Sequence, residues 1–246
     1  EHRYPGIVFS QFPGAEMLAL KHGLSKDELD RFGFDSQQKA IAATKAGRFE
    51  REIVPIEVTL PDGSKARHSV DEGIRFDVTL DGIRGVKLIQ EGGRVTAATA
   101  SQICDGASGV MVVNAHGLKA LGVEPLARIH TMTVSAGDPV IMLEEPLFCT
   151  DKALKRAGLS IDEIDLYEVN EAFAPVPLAW LKHVGADPGK LNVNGGAIAL
   201  GHPLGGSGTK LMTTLIHALH DRGKRYGLQT MCEGGGLANV TIVERL

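Results

Sequence analysis

The sequence predicts an α/β layered fold. Three observations carry that prediction. From about residue 95 onward, short apolar runs of strand type alternate with stretches of helical period. Glycine accounts for 30 of the 246 residues and punctuates the ends of those stretches; the usual share is about 7%. Hydrophobic residues make up 43% and charged residues 23%, which supplies a buried core and a solvated surface.

The elements follow in order. Residues 14–49 read as helices: Ser25-Lys26-Asp27-Glu28 is a capping box, Leu29, Phe32, Ala40 and Ile41 share helical spacing, and Gly47 is a stop signal. Residues 52–60 read as an edge strand, because Pro55 lacks the amide a central strand needs. Pro61-Asp62-Gly63-Ser64 is a turn, and 61–94 is a polar, loop-rich excursion. Gly109 to Val113 reads as a short buried strand. Ala115 to Leu121 reads as a helix ended by Gly122, and Ala127 to Val134 as a strand. Thr150 to Ala157 is a helix stopped by Gly158, and Ser160 to Glu163 is a second capping box opening one turn to Ile164. Asp165 to Val169 reads as a strand and Ala172 to His183 as a helix. Ser207 to Arg222 is a long helix entered through a glycine loop, and Gly227 to Cys232 and Asn239 to Glu244 are two β segments.

Composition narrows the function. A net charge of −4 and a pI near 6.2 lack the basic footprint of nucleic-acid binding. Aromatic residues at 5% offer no base-stacking platform. No apolar run reaches the roughly 18 residues of a membrane span. Three scattered cysteines make no disulfide framework, which points to a reducing, cytoplasmic setting. The opening Glu1-His2-Arg3-Tyr4-Pro5-Gly6 is neither a signal nor a transit peptide, and the first methionine is Met17. Together these predict a piece of a longer or processed protein.

Four stretches carry chemistry. Asn192 to Gly208 packs six glycines around His202 and runs into a helix. Glycines there let backbone amides approach a reacting atom, and the histidine can serve as a base or as a donor to an oxyanion. The alternative is a tight loop that His202 merely caps. Met231-Cys232-Glu233-Gly234-Gly235-Gly236 ends a β segment in consecutive glycines. Cys232 is a proton-transferring or nucleophilic thiol, or else an inert core cysteine. Glu168-Val169-Asn170-Glu171-Ala172-Phe173 puts Asn170 and Glu171 at the end of a strand, where open α/β sheets place working residues. Alternatively, Asn170 caps the following helix. Thr99-Ala100-Ser101-Gln102-Ile103-Cys104 is a small-residue loop that passes a narrow ligand or simply turns. Cys149, beside Leu147 and Phe148, reads as core, and Cys104 has no base beside it in sequence. No spacing fits a metal site, and His217 and His220 read as surface residues.

Taken together, these stretches resemble the thiolase family. Asn170-Glu171-Ala172-Phe173-Ala174, Gly195-Gly196-Ala197-Ile198-Ala199-Leu200-Gly201-His202-Pro203 and Cys232-Glu233-Gly234-Gly235-Gly236 are similar to three of its active-site loops, in its order and spacing. Residues 47–56, 71–75 and 96–103 fit as well. The resemblance implies a mixed β-sheet with helices on both faces, plus a helix-rich loop domain. Residues 1–103 would be the loop domain, 104–125 a returning segment of the N-terminal α/β half, and 126–246 the C-terminal α/β domain. The family's nucleophilic cysteine belongs upstream of everything here, so the resemblance predicts a chain that is inactive alone.

It also implies roles. Cys232 would move the proton of the acetyl α-carbon. His202 would activate the missing nucleophile, Asn170 would hold an oxyanion-site water, and the Gly234 amide would serve a second oxyanion hole. Ser101 would bind the pantetheine arm, flanked by Ala100 and Phe173, and Arg75 the phosphates. Coenzyme A and acyl-CoA would be substrates, with no cofactor, no metal, and no nucleic-acid or membrane partner. A homodimer or homotetramer is implied for the complete protein. The implied reaction is thiolysis of a 3-oxoacyl-CoA, or its reversal by Claisen condensation, as in fatty acid β-oxidation. Glu233 beside the thiol, Gln11-Phe12-Pro13-Gly14, and Ser108-Gly109 in place of two alanines depart from the family pattern. A ketoacyl synthase would lack Cys232. The reading from another class is a non-catalytic coenzyme A-binding or assembly subunit that needs a separate nucleophile-bearing chain.

Overall fold

The computed structural model describes residues 3–246, so Glu1 and His2 of the opening segment lie outside the described residues. Helices α1 (Gln11–Lys21) and α2 (Lys26–Lys45) follow the helical spacing read above. Ser25 caps α2: its hydroxyl accepts from the Glu28 amide, and the Glu28 carboxylate accepts from the Ser25 amide. Next comes a two-stranded hairpin, β1 (Ile56–Thr59) and β2 (Lys65–His68), joined by the expected turn at 61–64. A short helix, α3 (Leu80–Arg84), interrupts the loop-rich excursion.

Residues 101–114 form no helix or strand, and here the expectation of a buried strand at Gly109–Val113 is overturned. A strand needs a ladder partner for its amides and carbonyls. No described strand pairs with this run, and its apolar side chains are exposed, Met111 by 75% and Val112 by 71%. Helix α4 (Ala115–Leu121) ends on Gly122, whose φ of 64° is the left-handed stop that glycine supplies without strain.

The remaining chain builds a four-stranded mixed sheet. Its strands are β3 (Ala127–Ala136), β4 (Leu166–Val169), β5 (Tyr226–Glu233) and β6 (Leu237–Arg245), in the order β3-β6-β5-β4. The β3/β6 and β5/β6 pairs are antiparallel and β4/β5 is parallel. Helices α5 (Glu145–Ala157) and α6 (Pro175–Val184) share the large apolar core, while α8 (Ser207–Asp221) packs Leu215 and Leu219 with Leu166 and Val243 in a second. Helix α5 starts earlier than Thr150 because Pro146 is tolerated in a first turn. Helix α6 starts at Pro175, three residues later than expected, with Ala174 and not Asn170 at its N-cap.

Trp180 and Tyr167, both buried, meet at 5.2 Å between ring centroids. The Trp180 indole donates to Thr150 Oγ1 at 2.8 Å, so its polar edge is satisfied inside the core. Cys149 is fully buried in this core, as read from sequence. Helix α1 packs into it as well through Ala15, Leu18 and Ala19. Among the described residues, no helix is long and apolar enough to cross a membrane.

Candidate active site

The parallel pair β4/β5 fixes the first part of the site. Val169 pairs with Thr230, and the Asn170 amide donates to the Thr230 carbonyl at 3.0 Å. Asn170 therefore leaves β4 at the end of the sheet where β5 delivers Cys232. Parallel strands end on one side, which is why two residues distant in sequence arrive together. Asn170 is 1% exposed and does not cap α6, so the capping alternative fails.

His202 follows the four-residue helix α7 (Ala197–Leu200). Gly201 has a φ of 82°, and a Cβ there would sit 2.4 Å from Cys104 Sγ. Both the dihedral and the thiol demand glycine at that position. The His202 amide donates to the Gln102 carbonyl at 3.0 Å. Gln102 in turn donates its side-chain amide to the carbonyls of Gly73 and Ile198, each at 2.8 Å. The glycine loop is thus clamped against residues 101–102.

The His202 ring has two partners. Nδ1 meets the Ser207 hydroxyl, which itself donates to the Pro203 carbonyl. Nε2 lies 3.4 Å from Asn170 Nδ2. With the Ser207 proton assigned to the Pro203 carbonyl, Nδ1–H donates to Ser207 and Nε2 accepts from Asn170. Burial, aided by the charge of Lys210, lowers the His202 pKa below the usual histidine value. At neutral pH the ring is therefore an uncharged base with its lone pair on Nε2.

Cys232 is the penultimate residue of β5, paired with Ala238 across the β5/β6 hairpin. Its thiol is buried, which pushes its pKa up to about 12; the Glu233 charge adds to the rise. Glu233 is turned away, accepting from Asn239 Nδ2 at 2.6 Å. In the turn, Gly235 and Gly236 have φ of 82° and 80°, and a Cβ on Gly236 would sit 2.8 Å from the Asp138 carbonyl. Gly234 is exposed, with nothing within 4 Å of where a Cβ would stand. Cys149 Sγ points at the Thr133 and Ala238 carbonyls. Cys104 is exposed, and the structure sets it against the histidine loop, a neighbourhood the sequence did not reveal.

The candidate ligand-binding residues fall in one neighbourhood. Ala100 bridges Phe173 in a β-bridge, and the Ser101 amide donates to the Ala172 carbonyl at 2.9 Å. Phe12 stacks edge-on against Phe173 at 5.6 Å. Arg75 is exposed; its amide donates to Gln37 Oε1 at 2.8 Å, and Gln37 reaches the Ile198 carbonyl at 3.2 Å. A cavity of about 480 Å³ beside the β1/β2 hairpin, walled by Phe49, Ile53, Arg67 and Asp71, includes none of these residues. His217 and His220 make no metal cluster: His217 is half-buried and His220 meets the Leu126 carbonyl at 2.8 Å. Ser36 and Gln37 lie outside the stretches singled out in the sequence, while Ser207 and Gln102 lie inside two of them with no role assigned.

The thiolase N-terminal domain model matches residues 13–116, and the thiolase C-terminal domain model matches residues 123–245. The chain belongs to the thiolase family. It is 52% identical over 245 residues to the steroid 3-ketoacyl-CoA thiolase FadA6 of Mycobacterium tuberculosis, covering all of this chain and 59% of that protein. An acetyl-CoA acetyltransferase of Chromobacterium violaceum is 43% identical over 94% of this chain and 59% of its own length. Among solved structures, human mitochondrial 3-ketoacyl-CoA thiolase superposes with a TM-score of 0.87 at 42% identity, over 95% of this chain and 59% of that one. The acetyl-CoA acetyltransferase of Bacillus anthracis gives 0.90 at 34%, over 98% and 61%. This thiolase chain thus spans about 59% of the length of the curated relatives it matches. Its α/β fold with a mixed sheet is the thiolase fold.

Proposed function

We propose that the chain contributes the acid–base half of a thiolase that cleaves 3-oxoacyl-CoA with coenzyme A to acetyl-CoA and a shortened acyl-CoA. The observation that carries this reading is the His202–Asn170 pair: an uncharged imidazole with Nε2 facing a side-chain amide, at the sheet end where Cys232 arrives. In this reading residues 1–103 form the loop domain, 104–125 return to the N-terminal half, and 126–246 form the C-terminal domain. A nucleophilic cysteine comes from outside these residues, in the same protein or on a separate chain. His202 Nε2 takes the nucleophile's proton. The thiolate adds to the 3-keto carbonyl, the C2–C3 bond breaks, and its electron pair leaves as the acetyl-CoA enolate. Cys232 protonates that carbon. A thiol held protonated up to about 12 is in its proton-donating form at neutral pH. The Cys232 thiolate then recovers a proton from the incoming coenzyme A thiol, whose thiolate attacks the acyl-enzyme; the shortened acyl-CoA leaves, and the expelled cysteine thiolate takes back the proton held on His202 Nε2.

Asn170 and the Gly234 amide serve the developing oxyanions, worth several kcal/mol per donor in a dry site. Ser101, Ala100 and Phe173 take the pantetheine arm, and Arg75 the phosphates. No cofactor is needed, coenzyme A being a substrate. The complete enzyme is a homodimer or homotetramer. The test joins the chain to its nucleophile-bearing half and follows thiolysis of linear and steroid-sized 3-oxoacyl-CoA. Turnover that His202→Ala abolishes supports the reading; turnover that survives His202→Ala overturns it.

A further inference from the structure

Beside the site lies a buried carboxylate for which the reaction supplies no role. Glu171 is 1% exposed and sits next to Asn170 in the chain. Three donors from three segments converge on it. Ser36 of α2 donates its hydroxyl to Oε2 at 2.7 Å. Asn192 Nδ2 donates to Oε1 at 2.8 Å. The Ile198 amide, in α7, donates to Oε2 at 3.1 Å. Ser36 is itself held, accepting from the Gly196 amide at 3.2 Å. A Cβ on Gly196 would lie 2.2 Å from the Glu171 carboxyl carbon, so the carboxylate occupies the space that makes glycine obligatory there. Asn192 closes the network by bonding both the amide and the carbonyl of Val169 at 2.9 Å.

We infer that Glu171 is a positioning residue that sets the distance between the His202 ring and the Asn170 amide. The inference rests on the thiolase reading of His202 given above. One end of the network is the residue after Asn170, and the other is the helix whose C-terminus carries His202. The carboxylate is therefore the shared anchor of both partners of the 3.4 Å contact. All three contacts are donors, which matches an ionised carboxylate's acceptor-only chemistry. Burial raises the Glu171 pKa, and the bonds from Ser36, Asn192 and Ile198 oppose that rise. A glutamine keeps the shape but turns an N–H toward Asn192 Nδ2, donor against donor. The loop then shifts to relieve the clash, and a displacement of order 1 Å can cost about 10²-fold in rate.

The test uses the chain with its nucleophile-bearing half. Glu171→Gln should slow acylation by acetyl-CoA by about 10–100-fold, with the KM for acetyl-CoA inside about 3-fold. The pH profile for alkylation of the nucleophile by iodoacetamide should move upward, because a displaced imidazole supports the thiolate less well. Ser36→Ala removes one of the three donors, and with it the acceptor of the Gly196 amide, but leaves the carboxylate in place, so it should move both readouts the same way by less. The double variant should be no worse than Glu171→Gln alone, the signature of one network. If Glu171→Gln does not fold, Ser36→Ala carries the test. Lowered thermal stability with acylation per folded site and the alkylation profile unchanged in both variants overturns the inference. Acylation that survives His202→Ala overturns the underlying thiolase reading instead, and is distinguished from it by that variant alone.

Discussion

At His202 the hydrogen bonds decide which nitrogen is basic. Nδ1 spends its proton on Ser207, so the lone pair is on Nε2, facing Asn170 Nδ2, and burial keeps the ring uncharged. Ser207→Ala removes the group that fixes this tautomer. Acylation in the complete enzyme should fall on the order of 10-fold while coenzyme A binding holds; an unchanged acylation rate would show that Ser207 is not needed. Cys232 makes the opposite prediction. In the proposed reaction its proton moves on the acetyl carbon, not on the nucleophile. Cys232→Ser should therefore cut thiolysis by about 10²–10⁴-fold and largely spare acylation by acetyl-CoA, because a serine hydroxyl has the shape but not the acidity. Measuring the two half-reactions separately decides it. Equal loss in both, or turnover kept within a few-fold, would remove Cys232 from the proton-transfer role.

Between elements, the clearest pH-sensitive contact joins the segment after α2 to helix α8. Glu52 Oε1 accepts from Thr214 Oγ1 at 3.3 Å, while its Oε2 is buried without a partner. Burial raises its pKa from 4.5 to about 7. The folded state thus favours the protonated acid more than the unfolded chain does. The stability this gives is complete below about pH 4.5 and is lost as pH rises through 7. Glu52→Gln keeps the acceptor and removes the charge, so unfolding midpoints should lose that decline, and the variant should gain up to about 2 kcal/mol at pH 8, discounted for partial exposure. A wild-type profile flat from pH 4 to 8 would contradict this.

The same scale shows what the sequence made legible. Helix α2 was readable because Ser25 and Glu28 act locally, and α4 because Gly122 stops it. The two glycine-rich loops, 192–208 and 231–236, stand out in the sequence because each holds its candidate residue and its glycines within a few positions. Gly109–Val113 failed because an apolar run does not say whether a neighbouring strand is present to pair with it. Ser36 and Glu171 bond across 135 residues, and Cys104 meets Gly201 only in the folded chain. Such contacts follow from topology and leave no local periodicity to detect.

At the scale of the whole molecule, several large apolar side chains are uncovered. Ile103, Met111 and Val112 on the irregular segment, Met132 and Val134 on β3, and Leu204 beside the histidine loop are all exposed. Strand β3 is an edge, paired only to β6. Uncovered apolar side chains and an open strand edge both drive association. None of the three cysteines is set up as a nucleophile. Cys149 is sealed in the core, burial holds the Cys232 proton up to about 12, and Cys104 shows no hydrogen bond or ion pair to a base. The purified 246-residue chain should therefore show no loss of acetoacetyl-CoA when coenzyme A is added, and should self-associate in light scattering. Supplying the nucleophile-bearing half, fused or as a second chain, should bring both turnover and a defined oligomer. Cys104 provides the sharp control, since it is the one exposed thiol and it lies against Gly201. Turnover by the chain alone that disappears in Cys104→Ser would make that thiol the nucleophile and remove the need for a second half. A monodisperse, cooperatively unfolding monomer would show that these exposed apolar side chains need no partner to cover them.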